Sequence, residues 1–216
     1  MKKIGLYFGS FNPLHNGHLM VANYAVEMGG LDELWFVPTV LNPQKEDENL
    51  VAFNLRVRMI KEVLNKPYPT LNMFVCDIEK DLPSPHYTYQ TIQAIQEKYK
   101  GEGHHYVLIM GMDSYESLPT WKNYQELLKY QILILPRWTV LNHTTNSMDM
   151  SVREQRISYM KQGMEIGIHD VLTDMPMSTM SSSFIRNEIK EDRDIRFYVP
   201  PQVWVAILKL NLYKNL

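Results

Sequence analysis

Short apolar runs alternate along the chain with segments of helical spacing, and this alternation restricts the fold more than any other feature of the sequence. The apolar runs predict six strands, at about 3–8, 33–38, 71–76, 106–110, 131–135 and 168–172. Helical spacing predicts helices at about 18–28, 54–64, 87–100, 122–129, 151–162, 183–190 and 200–213, and Asn54 suits the N-cap of the second of them. The polar segment 138–150 predicts a mobile loop. Strands separated by helices in this way are typical of βαβ units, so we expect an α/β protein with a parallel sheet.

The order of these elements also predicts where a ligand binds. In a parallel sheet with right-handed crossovers, ligands bind beyond the carboxyl ends of the strands. The turns at 9–18 and 111–113 both follow such ends, so they should meet at one edge of a doubly wound, Rossmann-like sheet with a helical C-terminal part. No internal repeat or linker interrupts the sequence, which predicts a single domain over 1–216.

Composition and charge exclude several classes of partner. The net charge is −2, and no run of Lys or Arg is long enough to suggest a nucleic-acid surface. The first apolar run is broken at Gly5 and Gly9, which makes it too short for a signal peptide or a membrane helix. A single cysteine, Cys76, rules out an internal disulfide framework and fits a reducing compartment. We therefore expect a cytoplasmic protein that binds neither nucleic acid nor membrane, and the sequence leaves a homo-oligomer open.

The most informative turn is the ten-residue string at 9–18, GSFNPLHNGH. Gly9 allows backbone to approach a ligand closely, and His15 and His18 share a face at the start of a helix. A helix N-terminus presents unpaired amides, which together with two imidazoles suit a polyphosphate. Solvated histidines or half of a metal site would also fit the two histidines alone, although the sequence offers no obvious partner ligands. Other phosphate loops are excluded, since no G-x-G-x-x-G follows this strand and no G-x-x-x-x-G-K-[ST] occurs.

A second candidate segment is the string SSSFIR at 181–186, which leads into a predicted helix. Hydroxyls before a helix usually cap it, and capping alone would account for the serines. However, Ser183 and Arg186 are one helical turn apart, and a guanidinium with hydroxyls at a helix N-terminus forms an oxyanion cradle. The residues alone leave both interpretations open.

A third candidate segment follows the fourth strand. Gly111 at the strand end would let a nucleotide lie against the backbone, and Asp113 either caps a helix or contacts a ribose or a Mg²⁺-bound water. Downstream, Trp121 follows Pro119 and belongs either to the core or to an aromatic platform for a ligand.

The fourth candidate segment is the string SPHYT at 84–88. Thr88 either caps the helix that begins there or, with nearby amides, holds a small anion such as a carboxylate.

The string at 9–18 resembles the signature of the nucleotidyltransferase superfamily, G-x-F-D-P-x-H-x-G-H, with Asn12 in place of the aspartate. The second segment is similar to the I-S-S-[TS]-x-I-R motif of adenylyl-transferring members, with Met180 in place of the first isoleucine. Taken in order, the four segments resemble those of the bacterial nicotinate-nucleotide adenylyltransferase family over about 3–213. The shorter phosphopantetheine adenylyltransferases typically have Thr where this chain has His15, and Thr39 stands where the resembled family usually has Asn.

This resemblance implies adenylyl transfer from ATP to nicotinate mononucleotide, with deamido-NAD and pyrophosphate as products. It implies that His18 acts near the α-phosphate, that His15 contacts the polyphosphate, and that Arg186 with the serines holds the β- and γ-phosphates. Mg²⁺ would be held mainly by ATP phosphates and water, with no protein ligand set. A sibling transferase that uses nicotinamide mononucleotide or phosphopantetheine, and a non-catalytic nucleotide-binding module, are the alternatives.

The resemblance also implies the contacts of each substrate. The implied ATP contacts are Gly9, Ser10, Phe11, His18, Gly111, Asp113, Arg137, Ser182, Ser183 and Arg186. The implied mononucleotide contacts are Thr39, Lys45, Thr88, Leu118, Trp121 and Lys122.

Overall fold

The computed structural model of the chain describes residues 1–41, 50–65, 72–135, 169–172 and 178–214. Its strands are β1 (Lys3–Gly9), β2 (Glu33–Pro38), β3 (Met73–Val75), β4 (His105–Gly111), β5 (Gln131–Leu135) and β6 (His169–Val171). Its helices are α1 (Asn16–Gly29), α2 (Phe53–Leu64), α3 (Thr88–Lys98), α4 (Met112–Ser117), α5 (Tyr124–Leu127), α6 (Ser182–Lys190) and α7 (Pro201–Leu210), with 3₁₀ turns at Ile78–Asp81, Lys100–Glu102 and Leu118–Thr120. The predicted helix at 151–162, the predicted loop at 138–150, Lys45 and Arg137 lie outside the described residues.

The six strands form one parallel sheet in the order β3-β2-β1-β4-β5-β6. The strand order reverses between β1 and β4, and in open sheets of this kind ligands bind at such a reversal, beyond the carboxyl ends of the strands. β1 ends at Gly9 and β4 ends at Gly111, so the two predicted turns are neighbours at this edge. The predicted α/β fold with a doubly wound parallel sheet is confirmed.

Side chains from the two faces of the sheet form two core layers. Along β4, Val107 and Ile109 pack on the face that α1, α2, α6 and α7 cover. Leu108 and Met110 pack on the opposite face, which α3, α4 and α5 cover. Because helices cover both faces, the central strands are apolar over most of their length, and the C-terminal helices α6 and α7 complete one of the layers.

Some local predictions were wrong. Asn54 does not cap α2, because the helix already begins at Phe53 with Ala52 as its N-cap. The short helix α4 was not predicted, and the helix expected at 122–129 is reduced to Tyr124–Leu127.

Among the described residues, no helix is long and apolar enough to cross a membrane.

Candidate active site

A cleft of about 1290 Å³ opens at the carboxyl edge of the sheet, where the ends of β1 and β4 lie side by side. Residues from the four candidate segments line it together. The predicted site residues that line it are Gly9, Ser10, His15, His18, Thr39, Thr88, Gly111, Asp113, Trp121, Lys122, Ser182, Ser183 and Arg186. The other two described site residues, Phe11 and Leu118, are buried in the core with 1% of each residue exposed, so their side chains support the cleft from behind.

The two histidines form a reciprocal cap at the start of α1. His15 is the N-cap, and its Nδ1 accepts from the backbone N–H of His18 at 3.3 Å. The Nδ1 of His18 in turn accepts from the backbone N–H of His15 at 3.2 Å. The rings are stacked with their centroids 3.6 Å apart. The local fold of the turn therefore fixes both imidazoles before any ligand binds.

These hydrogen bonds also decide which nitrogen carries the ring proton. In each ring Nδ1 accepts a bond from a backbone N–H, which assigns the proton to Nε2. Nε2–H is therefore the donor of each ring, and both rings line the cleft, although the Nε2 atom of His15 is itself buried.

Gly17 is needed for the placement of the His15 ring. A Cβ added at Gly17 would lie 3.0 Å from Nδ1 and 3.1 Å from Cε1 of His15, which is tighter than ordinary contact. The glycine of the histidine string thus leaves room for the capping imidazole.

We expect Gly17→Ala to lower kcat about tenfold, because the His15 ring must shift by a few tenths of an ångström and catalysis depends steeply on alignment. The matched control is Gly101→Ala, since a Cβ at Gly101 meets nothing within 4 Å. Steady-state rates of both variants test this expectation, and an unchanged kcat in Gly17→Ala would contradict it.

Phe11 supports the His18 ring from the core side. Phe11 has a φ of 47°, a left-handed backbone conformation that is unusual for a bulky residue. Its ring meets His18 edge to face with a centroid distance of 5.0 Å and also packs against Tyr7 and Phe36. The turn therefore accepts an unfavourable backbone conformation and places an aromatic ring beneath the histidine.

Asn12 joins distant segments beneath the turn. It is fully buried, and its Oδ1 accepts from the backbone N–H of Val51 at 3.2 Å and from the hydroxyl of Tyr213 at 2.9 Å. The amide that replaces the family aspartate thus has a structural role.

Ser181 and Ser182 have different roles at the start of α6. The Ser181 hydroxyl accepts from the backbone N–H of Phe184 at 3.1 Å, so the capping interpretation holds for this serine. The Ser182 hydroxyl instead donates to the carbonyl of Pro13 at 3.0 Å. This bond joins α6 to the turn at 9–18.

Arg186 lies where the second segment meets the first. Its Nη1 donates to the carbonyl of Asn12 at 2.8 Å, and its Nη2 donates to the hydroxyl of Ser183 at 3.2 Å. These contacts orient a guanidinium that lines the same cleft as the two histidines. The structure thereby brings the two motifs together in space.

Trp121 also lines the cleft, is partly buried and packs against the core layer on the face of the sheet that α3, α4 and α5 cover. Its indole N–H lies 3.3 Å from the Ser117 hydroxyl, and its backbone N–H donates to the Leu118 carbonyl at 2.9 Å. Both contacts hold the ring at the cleft wall. Lys122, the next residue, is exposed and adds a positive charge.

Thr88 is the first residue of α3 and does not cap it. The N-cap is Tyr87, whose side chain makes no capping hydrogen bond. The first-turn amides of α3 therefore lie beside the Thr88 hydroxyl without a side-chain cap, at a helix end that favours negative charge.

Sequence reasoning missed several residues behind the cleft wall. Arg56 lies on the same face of α2 as Ile60 and Val63, and a charge on an apolar helix face is the signal that could have identified it. Glu79 and Tyr213 carry no such signal, because their partners lie 39 and 201 residues away.

Glu79 is buried behind the segment that follows β2. Its carboxylate accepts from the backbone N–H of Val40 at 2.8 Å and from the Thr91 hydroxyl at 3.0 Å. Burial raises the pKa of Glu79 to about 6, although these bonds and the charge of Arg56 act in the opposite direction.

The raised pKa of Glu79 predicts a pH-dependent stability. A carboxyl whose folded pKa lies above its unfolded value stabilises the fold at low pH, and this contribution is lost as the pH rises through about 6. The difference in unfolding free energy between wild type and Glu79→Gln should therefore fall by about 2 kcal/mol between pH 4.5 and 7. Urea unfolding across this range tests it, and a difference independent of pH would be the contrary result.

Asp113 is the acidic residue among the described residues that line the cleft. Asp113 lines the cleft in the first turn of α4, where Gly111 is the N-cap, so the capping interpretation of Asp113 was wrong. Within the part of the chain that the structure describes, no group of three or more His, Cys, Asp or Glu residues could hold a metal ion.

The fold and this cleft agree with comparisons to known proteins. A model of the cytidylyltransferase-like family matches residues 6–188. With the parallel sheet and the histidine turn, this match defines a nucleotidyltransferase. A protein of Flavobacterium psychrophilum named "Probable nicotinate-nucleotide adenylyltransferase" is 39% identical over 214 residues, covering 99% of this chain and 100% of the relative. A protein of the same name from Porphyromonas gingivalis is 37% identical over 198 residues, covering 91% and 88%. The chain belongs to the nicotinate-nucleotide adenylyltransferase family.

Solved structures show the same fold at low sequence identity. The nicotinic acid mononucleotide adenylyltransferase of Plasmodium falciparum complexed with NaAD is 20% identical and covers 99% of this chain and 98% of its own, with a TM-score of 0.73. The same protein complexed with APC gives a TM-score of 0.72 at 20% identity. At this identity the likeness bears on the fold alone.

Proposed function

We propose that the chain transfers the adenylyl group of ATP to nicotinate mononucleotide and releases pyrophosphate, which is a step of NAD biosynthesis. The observation that carries this proposal is the division of the cleft. His15, His18 and Arg186 line it at α1 and α6, on one face of the sheet, whereas Thr88 and Trp121 line it at α3 and before α5, on the other face. Donors and a guanidinium suit a polyphosphate, whereas an indole beside a helix N-terminus suits a pyridine ring with a carboxylate. The names of the curated relatives support the same reaction.

The mononucleotide phosphate attacks the α-phosphorus of ATP, the new P–O bond forms, and pyrophosphate leaves with the electrons of the broken P–O bond. A phosphate monoester has a second pKa of about 6, so the nucleophile is already ionised at neutral pH. The reaction needs no protein nucleophile and no general base. Catalysis then comes from alignment and from stabilisation of charge on the transferring and leaving oxygens.

The residues divide this work between them. The Nε2–H of His18 donates to the α-phosphate oxygens as charge develops there, and His15 contacts the polyphosphate. Arg186, oriented by Ser183, holds the β- and γ-phosphates in a bidentate manner. When bound to ATP, Mg²⁺ would neutralise charge on the phosphates, and Asp113 would contact its water shell.

The proposal is tested by pyrophosphate release from ATP with a panel of phosphorylated acceptors, with each product identified by mass spectrometry. Nicotinate mononucleotide should be the preferred acceptor. Preferred use of nicotinamide mononucleotide or phosphopantetheine would identify a sibling transferase. Binding of ATP with no release in any mixture would indicate a nucleotide-binding module.

A further inference from the structure

Arg56 is a fully buried arginine that contacts backbone rather than substrate. It lies on α2 and has 0% of its surface exposed. Its Nη1 donates to the carbonyls of Ser10 and Thr39, at 2.5 and 2.9 Å. Its Nη2 donates to the carbonyl of Val40 at 3.2 Å, and its Nε donates to that of Val51 at 2.8 Å. One guanidinium therefore binds carbonyls from three separate stretches of chain.

Two of these stretches form adjacent walls of the cleft. Ser10 belongs to the turn after β1, and Thr39 follows β2; both residues line the cleft. The backbone N–H of Thr39 also donates to the carbonyl of Gly9 at 3.0 Å. The guanidinium thus lies behind the junction between the turn at 9–18 and the segment that follows β2.

Glu79 extends this junction to the start of α3. The carboxylate binds the backbone N–H of Val40 on one oxygen and the Thr91 hydroxyl on the other, at 2.8 and 3.0 Å. Thr91 lies one turn after Thr88, which is on the cleft wall. The Arg56–Val40–Glu79 chain of contacts therefore connects the turn after β1 with the helix end at the other side of the cleft.

A buried charge is costly unless it is compensated, and here hydrogen bonds to four backbone carbonyls compensate the guanidinium. The planar guanidinium offers several donors in fixed directions, which a lysine ammonium does not reproduce. We propose that Arg56 is a positioning residue that holds the turn after β1 and the segment after β2 at the separation that aligns ATP with its acceptor. This inference rests on the proposed function for the identity of the acceptor.

The test compares Arg56→Lys with Arg58→Lys. Arg58 lies on the same helix, is 74% exposed and pairs with Glu62, so its substitution is the matched control. Rates are expressed per folded molecule, measured well below the melting temperature of each variant. Arg56→Lys should lower kcat at least about tenfold while the KM for ATP changes by less than about threefold, because alignment is lost and ATP binding is kept. A kcat per folded molecule equal to that of wild type, with only the melting temperature lowered, would overturn the proposal.

A second variant decides the matter if Arg56→Lys does not fold. Glu79→Gln keeps an oxygen for the backbone N–H of Val40 but removes the carboxylate that faces Arg56. It should lower kcat by at least about threefold with the same unchanged KM for ATP, and an unchanged kcat would overturn the proposal. The ratio of the variant kcat to the wild-type kcat is measured with the acceptor that the wild-type chain uses. A failure of the proposed acceptor and a failure of the Arg56 role therefore give different results.

Discussion

The His18→Ala variant should lower kcat at least about 100-fold while the chain stays folded, because a preorganised donor to the developing charge is lost. The reciprocal cap holds the ring so that Nδ1 accepts from the backbone N–H of His15, which leaves the ring proton on Nε2. Truncation therefore removes both a cap acceptor and a catalytic donor. The effect on stability should be about 1 kcal/mol, which is the usual cost of losing a cap.

Two further variants separate these losses. In His18→Asn the side-chain oxygen reaches the position of Nδ1 and restores the cap, but nothing occupies the position of Nε2. It should therefore regain stability and remain as slow as His18→Ala. His105→Ala, at the exposed start of β4, is the control for removal of an imidazole elsewhere. Near-normal turnover in His18→Asn would exclude the assigned role of Nε2.

The second large effect concerns the acceptor. We expect kcat/KM for nicotinate mononucleotide to exceed that for nicotinamide mononucleotide by at least about 100-fold, or about 2.7 kcal/mol. The first-turn amides of α3, the Thr88 hydroxyl and the Lys122 charge all favour a carboxylate. Hydrogen bonds from such donors to a charged oxygen are about twice as strong as those to a neutral amide oxygen. The carboxamide would also bring an NH₂ group to face donors.

Substitutions at the two sides of the pyridine ring should behave differently. Thr88→Val removes a donor to the ring substituent. It should therefore reduce the ratio of kcat/KM for nicotinate mononucleotide to kcat/KM for nicotinamide mononucleotide. Trp121→Ala removes the stacking surface and should weaken both mononucleotides alike, so it serves as the control for lost contact area. Equal kcat/KM values for the two mononucleotides with the wild-type chain would contradict selective recognition of the carboxylate by this site.

The order of secondary structure could be predicted because the apolar runs are short, regularly spaced and separated by helical segments. The meeting of Gly9 and Gly111 at one edge of the sheet followed from that order and from the geometry of parallel sheets alone. By contrast, α4 is a single short helix without an apolar stripe, so periodicity gave no indication of it. The residue type of Asn54 favours an N-cap, but Ala52 occupies the N-cap position because the helix starts earlier.

Site residues could be predicted where the residues that contact one another are close together in the sequence. His15 and His18 are three residues apart, so their shared face could be inferred before the reciprocal cap was visible. The contacts of Arg56 join residues 5 to 46 positions away, and no local pattern specifies such pairs. The assignment of substrate roles to individual residues remains a prediction that the variants above address.

The bond between Tyr213 and Asn12 has a consequence for synthesis of the protein. The two residues are 201 positions apart, and both are buried. The turn at 9–18 emerges early from the ribosome, but its buried Asn12 gains this partner only when residue 213 has been made and released. A nascent chain that already contains both histidines would therefore lack one of the supports of the turn. We expect the turn to acquire its full set of contacts only after residue 213 has been synthesised.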